Sequence, residues 1–418
     1  MVRAEKLVGG GRALAHHDGD TWFVAGALPD EEIEAIVTAR RSGVVDARVV
    51  AIRGASHPAR LSDPCPHAIQ CGGCDWPHVD PDSGCRLKAH AASEAAGKFP
   101  ELAERIATAP VRISPLGYRL RARLHWDPQK SVLGFYEPRT WNTVDIPSCR
   151  LLSPRLMASL EQLSLALCET CPERVDLEWL EDLDGTTAIA ALRPGRAGPH
   201  VISSSWVPSV QHARGVVDGF HLLSQSGQPT AVWGTESVTV RLRAHLEVPI
   251  GAFFQVNRHL LRWLFRRLEE LSGPAPVATW DLFAGVGLLA AAANCAAPRS
   301  LQLVEPHRPA ARAAQRNLPA ARVAVGRTAE AYLGRARSLP SDALVLIDPP
   351  RSGMSPQLRH QIAGWHPDRI LGLSCDPATW ARDTAFLVDH GYRLEHVELV
   401  DLFPLTHHVE ILALLHTE

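Results

Sequence analysis

At 418 residues the chain is too long for one ordinary hydrophobic core, so two or three domains are expected. Hydrophobic residues at 46% and charged residues at 21% match soluble globular proteins and exclude disorder over most of the length, while a net charge of −2 gives no global sign of nucleic-acid binding. The apolar stretch 282–298 is too short for a spanning helix of about 20 residues, and Met1 to Gly10 lacks the apolar run of a secretory signal, so the expected compartment is the cytoplasm, with no membrane.

Residues 1–57 read as short strands, Thr21–Val24 and Glu32–Thr38 among them, punctuated by Gly9-Gly10-Gly11, Asp18-Gly19-Asp20 and Leu28-Pro29-Asp30. A small β-barrel is expected there. Cysteines follow as Cys65-x5-Cys71-Gly-Gly-Cys74, three thiols within one turn-rich loop. Nine cysteines in a cytoplasmic chain argue for metal use over a disulfide framework. Thiolates in this arrangement suit zinc or an iron–sulfur cluster, and spacing leaves the fourth ligand open among Cys85, His67 and His78. Cys168, Cys171 and Cys295 read as ordinary residues. An Ala-rich helix is expected from Lys88 to Lys98. From Arg112 to about Glu236 the pattern is strand-like, with turns at Asp184-Gly185 and Pro194-Gly195. Arg119, Arg121 and Arg123 alternate with Leu120, Ala122 and Leu124, which predicts a strand with one basic and one apolar face; Arg241, Arg243 and His245 repeat the arrangement.

The last 180 residues alternate apolar strands with helical runs, the pattern of an open, mostly parallel sheet whose ligands sit at the carboxyl ends of the strands. The chemistry-bearing residues fall at those ends. Asp281-Leu-Phe-Ala-Gly-Val-Gly287 follows the first strand and opens a helix, where glycines let a ligand approach the backbone. Glu305 ends the second strand, where a carboxylate can accept ribose hydroxyls. Asp348-Pro-Pro-Arg-Ser-Gly353 ends the fourth. Ser374-Cys375-Asp376-Pro377 ends the fifth, its cysteine either a buried small hydrophobe or a nucleophile. Phe403-Pro-Leu-Thr-His-His-Val-Glu410 follows, with His407, His408 and Glu410 as an acid/base group or a polar turn.

Taken together, Gly251-Ala-Phe-Phe-Gln-Val-Asn257, Asp281–Gly287, Asp348–Gly353, Ser374–Asp383 and Phe403–Glu410 resemble the RNA 5-methyluridine methyltransferases of the TrmA/RumA type, enzymes dependent on S-adenosylmethionine (SAM). With the N-terminal barrel and the cysteines, the resemblance covers nearly the whole chain. It implies a TRAM or oligonucleotide-binding-like barrel over 1–57 and a central α+β domain over 58–236 carrying a 4Fe–4S cluster. A Rossmann-like class I SAM-dependent methyltransferase domain would span 237–418. It implies Cys375 as the nucleophile that adds to C6 of uracil and Glu410 as the acceptor of the C5 proton. Gln255, Asp281, Phe283, Gly285, Glu305 and Asp348 match positions that hold SAM or shape its site. The cluster ligands implied are Cys65, Cys71, Cys74 and the distant Cys149. Arg119, Arg121 and Arg123 then read as RNA contacts to an unstacked uridine. The chain departs from the family's pattern at Ala284, Leu288, Arg327 and Asp376; a carboxylate beside the thiol calls for a partner such as Arg382.

The substrate class implied is structured RNA, ribosomal more than transfer RNA, with no obligate protein partner. An amino-group methyltransferase would carry an aromatic after Pro350, where this chain has Arg351. A non-catalytic RNA-binding assembly factor would have no need of both Cys375 and Glu410.

Overall fold

Turn glycines at short intervals let the first 53 residues reverse repeatedly, and alternate side chains point into a small core of Val2, Leu7, Ala13, Val24, Ile33 and Val45. A computed structural model describes the chain except residues 69, 170, 196–197, 199–201, 204–214, 275, 296–299, 336–339, 341 and 418. The N-terminal sheet runs Val2–Arg3, Glu32–Arg41, Val44–Arg53, Asp20–Ala25, Arg12–His17, Lys6–Val8. Its two edge strands are consecutive in sequence: Ala4 N donates to Glu31 O at 3.0 Å and Glu5 N to Leu14 O at 2.8 Å. That curls the sheet on itself, the long strand Glu32–Arg41 bending at bulges between Glu34 and Ala35 and between Val37 and Ala39.

The central sheet has seven strands in the order Thr143–Asp145, Val132–Tyr136, Arg121–Asp127, Val175–Glu181, Ala188–Pro194, Gly219–Leu223, Pro229–Gly234. The strand-like stretch is interrupted by a helix, Pro154–Cys168. Ser153 Oγ accepts from Leu156 N and Pro154 opens the first turn, while Leu156, Leu160, Leu163 and Leu167 recur on the face buried against the sheet. The Ala-rich helix likewise starts earlier than its apolar pattern suggests, at Pro81 instead of Lys88, because Asp80 caps it by accepting from Ser83 N at 2.7 Å.

The C-terminal sheet orders its strands Arg322–Val325, Ser300–Glu305, Ala278–Asp281, Leu344–Ile347, Arg369–Ser374, Glu410–Thr417, Tyr392–Asp401, Val111–Ile113. The first five are parallel; Glu410–Thr417 then runs antiparallel to both its neighbours. Val111–Ile113 joins as an edge strand parallel to Leu399–Asp401, so this segment, together with helices Pro81–Ala95 and Pro100–Ala107, packs on the C-terminal sheet although it precedes the central one in sequence. Among the described residues no helix is long and apolar enough to cross a membrane.

Candidate active site and cysteine pocket

The antiparallel register brings Cys375 and Glu410 together. Ser374 pairs with Ile411, so the next residue on each strand, Cys375 and Glu410, emerges side by side at the carboxyl end of Arg369–Ser374. Asp348 ends the neighbouring strand, where Ile347 pairs with Gly372. Burial pushes the Cys375 thiol up to about 11, and the carboxyls of Glu410 and Asp348 push it further in the same direction. Arg351 opposes them. Burial also raises the Glu410 carboxyl well above the usual carboxylate range, with Asp348 reinforcing the effect, and Asp348 is itself raised by burial. Both acids therefore favour the protonated form more than an exposed carboxyl does. Glu410 Oε2 is buried without a hydrogen-bond partner among the described residues, as is Gln255 Oε1, while the Gln255 side chain donates to Asp348.

The loops bearing these groups are locked to each other. Thr379 Oγ1 donates to Arg351 O at 3.1 Å, Arg382 Nη2 to Ser352 O at 3.0 Å and to Met354 O at 3.2 Å, and Asp383 accepts Met354 N at 2.7 Å. Gly353 has φ +70°, and a Cβ there would stand 2.5 Å from both Arg382 and Asp383, so only glycine fits. Arg382 pairs with Asp383, not with Asp376. Asp376 instead caps helix Pro377–Val388 by accepting Thr379 N at 2.8 Å, an arrangement worth about 1 kcal/mol, which gives its charge a helix N-terminus as partner.

Along the same sheet edge, Glu305 accepts Gly285 N at 2.8 Å and His307 N at 2.6 Å. Asp281 accepts Phe283 N and Ala290 N, and burial pushes its carboxyl up to about 7. Gly285 adopts φ +54° with nothing nearer its missing Cβ than Phe253 O at 4.0 Å, leaving backbone open to a ligand. Asp281, Phe283, Gly285, Glu305, Asp348 and Gln255 thus line one edge, with open backbone and an orphaned amide oxygen, a donor and acceptor set that fits a nucleoside-bearing cofactor. Leu288 is buried, and Glu330 is held by Ser355 Oγ at 2.8 Å. Arg351 was not singled out from the sequence as functional, although it lies inside the Asp348–Gly353 motif. Its guanidinium donates to His408 Nε2 at 2.9 Å and acts on both Cys375 and Glu410. Burial, with His407 and Arg351 nearby, holds His408 down to about 3, so the imidazole is neutral and can accept that bond.

Cys65, Cys71, Cys74 and Cys149 line one pocket with Phe135, Ile146 and Leu405, whereas Cys85 bonds its own helix through Asp82 O. All nine cysteines are free thiols. Burial raises Cys71 and pushes Cys74 up to about 12, so these thiols ionise only with a compensating cation. Arg119 supplies part of one. No three of the four sulfurs lie within 4.8 Å of one another. Four thiols lining one pocket are a donor set that suits zinc or an iron–sulfur cluster. The donor set Asp75, His407 and His408 is engaged otherwise: His407 Nδ1 meets Asp75 Oδ2 at 2.7 Å and Arg351 occupies His408 Nε2.

The expected basic strand face is largely neutralised. Arg119 turns inward, donating to Gly73 O at 3.1 Å and lying over Tyr118 and Phe135. Arg121 donates to Ala252 O and faces Glu178, which also pairs with Arg123 and Arg193. The alternation marked the face correctly, but a buried acid on the adjacent strand, Glu178 opposite Arg123, was invisible without the pairing register. Only Arg123, with 47% of its side chain accessible, reaches solvent substantially.

Residues 341–418 match the family model described as tRNA (Uracil-5-)-methyltransferase. Over 98% of its length the chain is 32% identical to the 23S rRNA (uracil(1939)-C(5))-methyltransferase RlmD of Pseudomonas entomophila, covering 92% of that protein. It is equally similar to the protein of that name from Alkalilimnicola ehrlichii, covering 94% of it. The fold matches that of the Pyrococcus abyssi tRNA (uracil-54, C5)-methyltransferase, solved with S-adenosyl-L-homocysteine, with a TM-score of 0.76 at 21% identity and 99% coverage of each chain.

Proposed function

The chain belongs to the RNA uracil-C5 methyltransferases and is a SAM-dependent enzyme of that family, and from this we propose that it methylates C5 of one uridine in 23S ribosomal RNA, the counterpart of the position named in its relatives. The observation that carries the substrate is similarity along the whole chain, N-terminal sheet and cysteine pocket included, to proteins named for 23S rRNA. A transfer-RNA substrate is the second reading, favoured by the fold match to a tRNA enzyme. The test is nucleoside mass spectrometry on ribosomal and transfer RNA separated from a deletion strain and its parent. Loss of 5-methyluridine from 23S rRNA alone is expected. Loss from tRNA alone moves the substrate, and loss from neither, with no paralogue present, replaces the enzyme by an RNA-binding assembly factor.

The mechanism we propose uses Cys375 and Glu410. The Cys375 thiolate bonds to C6 of the uracil, the C5=C6 π electrons pass to C5 and the C4 carbonyl as an enolate, and C5 gains nucleophilic character it lacks in the free base. Bound SAM supplies an electrophilic methyl group. Glu410 takes the C5 proton of the methylated adduct, and the electrons released expel the Cys375 thiolate. Gln255, Asp281, Phe283, Gly285, Glu305 and Asp348 would hold the cofactor. Cys65, Cys71, Cys74 and Cys149 would hold a 4Fe–4S cluster, which the methyl transfer does not need as an electron carrier. The proposed units are 1–57 as an RNA-docking barrel, 58–236 around the cluster and 237–418 as the catalytic domain. RNA contact from the basic strand falls to Arg123, since Arg119 and Arg121 are engaged internally.

Arg351 is expected to lower the Cys375 thiol toward its working range. In Arg351→Gln that opposition is lost, the thiol pKa rises, and alkylation of Cys375 by iodoacetamide at fixed pH slows by about tenfold for each unit of rise. An unchanged alkylation rate would remove Arg351 from this role.

A further inference from the structure

The segment Phe403–Val409, which delivers Glu410 to the site, is tied down from helix Pro81–Ala95 and from the loop that follows Cys74, as well as through Arg351 on His408. Lys88, buried at 2% exposure, donates from Nζ to Asp401 at 2.6 Å and to Phe403 O at 2.9 Å. Trp76 N donates to Leu405 O at 3.0 Å, and Asp75 meets His407 at 2.7 Å. Asp75 and Trp76 directly follow Cys74. Trp76 is fixed in turn by its indole N–H on Gly11 O at 2.8 Å, which brings the N-terminal sheet against the same loop.

Leu405 sits at the centre of this arrangement. Its φ is +61°, a conformation a branched side chain avoids unless its surroundings over-determine it. Glycine or asparagine would adopt it at lower cost. A leucine there is accounted for by its side chain, which is buried and forms part of the wall of the pocket lined by Cys65, Cys71, Cys74 and Cys149. One residue therefore joins the proposed cluster ligands to the loop of the proposed base, five positions before Glu410.

We propose that Leu405 is a positioning residue: seated against the assembled cysteine cluster, it fixes the Phe403–Val409 loop and so sets Glu410 against Cys375. This rests on the readings of the four cysteines as cluster ligands and of Glu410 as the base. A cluster that fills the pocket gives the leucine a rigid wall; loss of the metal frees the wall, the left-handed turn relaxes, and the loop loses its register. The cluster then acts on the reaction through geometry, with no electron moving.

The test uses the full chain purified anaerobically, with Leu405→Gly and Leu405→Met. Leu405→Gly keeps the turn and removes the wall contact, while Leu405→Met keeps an apolar side chain of similar size. Iron per chain, the visible absorbance of the cluster, hydrogen exchange of the amides of residues 406–410, and kcat and KM on an rRNA fragment are measured together. The expected result is that Leu405→Gly keeps its iron and its KM, loses roughly 10- to 100-fold in kcat, and exchanges at 406–410 as fast as wild type stripped of iron by a chelator. Leu405→Met is expected to restore wild-type exchange and kcat. Iron bound, with exchange at 406–410 and kcat unchanged in Leu405→Gly, overturns the proposal alone. No iron in the wild type overturns the cluster reading and the proposal with it. A Glu410→Gln variant that turns over normally overturns the base assignment separately.

Discussion

Cys375→Ala is expected to abolish methyl transfer while leaving RNA binding intact. C5 of uracil becomes nucleophilic only when a group adds at C6, and among the described residues the side chain at the carboxyl end of the sheet able to add there as a soft nucleophile is this thiol. Its surroundings oppose casual ionisation, because burial and the acids Glu410 and Asp348 push it up to about 11. A thiol with so high a pKa is poorly ionised at rest and strongly nucleophilic once ionised, so it reacts when a substrate base and Arg351 compensate the charge. The loss in turnover is expected on the order of 10⁴-fold or more, the scale seen when a covalent nucleophile is removed. Binding of an rRNA fragment, followed by filter retention or fluorescence anisotropy, should change by less than about threefold, because Cys375 is half-buried and contributes little surface. Methylation surviving in this variant near the wild-type rate would sink the covalent mechanism.

How much of this was legible in the sequence follows from the range of each interaction. The strand–helix alternation of the last 180 residues was legible because its central strands, Leu344–Ile347 and Arg369–Ser374, are buried almost throughout and some of its helices carry their own cap: Thr328 before Ala329–Leu333, Ser355 before Pro356–Trp365, Asp376 before Pro377–Val388. Glu305, Asp348 and Cys375 were placed at strand ends by that pattern alone, and they do lie at one edge of the sheet. That Cys375 stands beside Glu410, 35 residues on, depends on Glu410–Thr417 running antiparallel beside Arg369–Ser374, a long-range choice no local pattern encodes. Asp376 looked troublesome beside the thiol and is a helix cap, because Asp-Pro at that spacing serves the helix first. The helix Pro154–Cys168 was hidden by its β-rich flanks although Ser153-Pro154 announces it. Arg119 and Arg121 misled for a different reason. An arginine reads as an exposed cation until the buried carboxylate on the next strand is known, and Glu178 lies 57 residues from Arg121 in sequence and 3.5 Å away in space.

Glu410→Gln is expected to stop the reaction one step later and so to trap it. In the wild type the adduct between Cys375 and the methylated base collapses only when a base removes the C5 proton, and Glu410 is the buried carboxylate beside the thiol with an oxygen free of any hydrogen-bond partner among the described residues. Glutamine keeps the volume and cannot accept the proton, so turnover should fall roughly 10²–10⁴-fold while thiol addition and methyl transfer proceed. The product is a protein–RNA species that survives denaturing electrophoresis and carries label from methyl-labelled SAM. The pH profile supplies an independent reading with a definite sign. Burial and Asp348 raise the Glu410 carboxyl, so the free enzyme holds it protonated further up the pH scale than an ordinary glutamate near 4.3. The base must be unprotonated to act, so kcat/KM of the wild type should climb about tenfold per pH unit through the range just below that raised pKa and level off above it, instead of levelling near pH 5. In Glu410→Gln the slope assigned to this group should vanish even though the residual rate is low. A variant that forms no adduct and retains the wild-type pH limb would assign proton removal to another group, with Asp348, the buried carboxyl whose charge acts on Glu410, first in line.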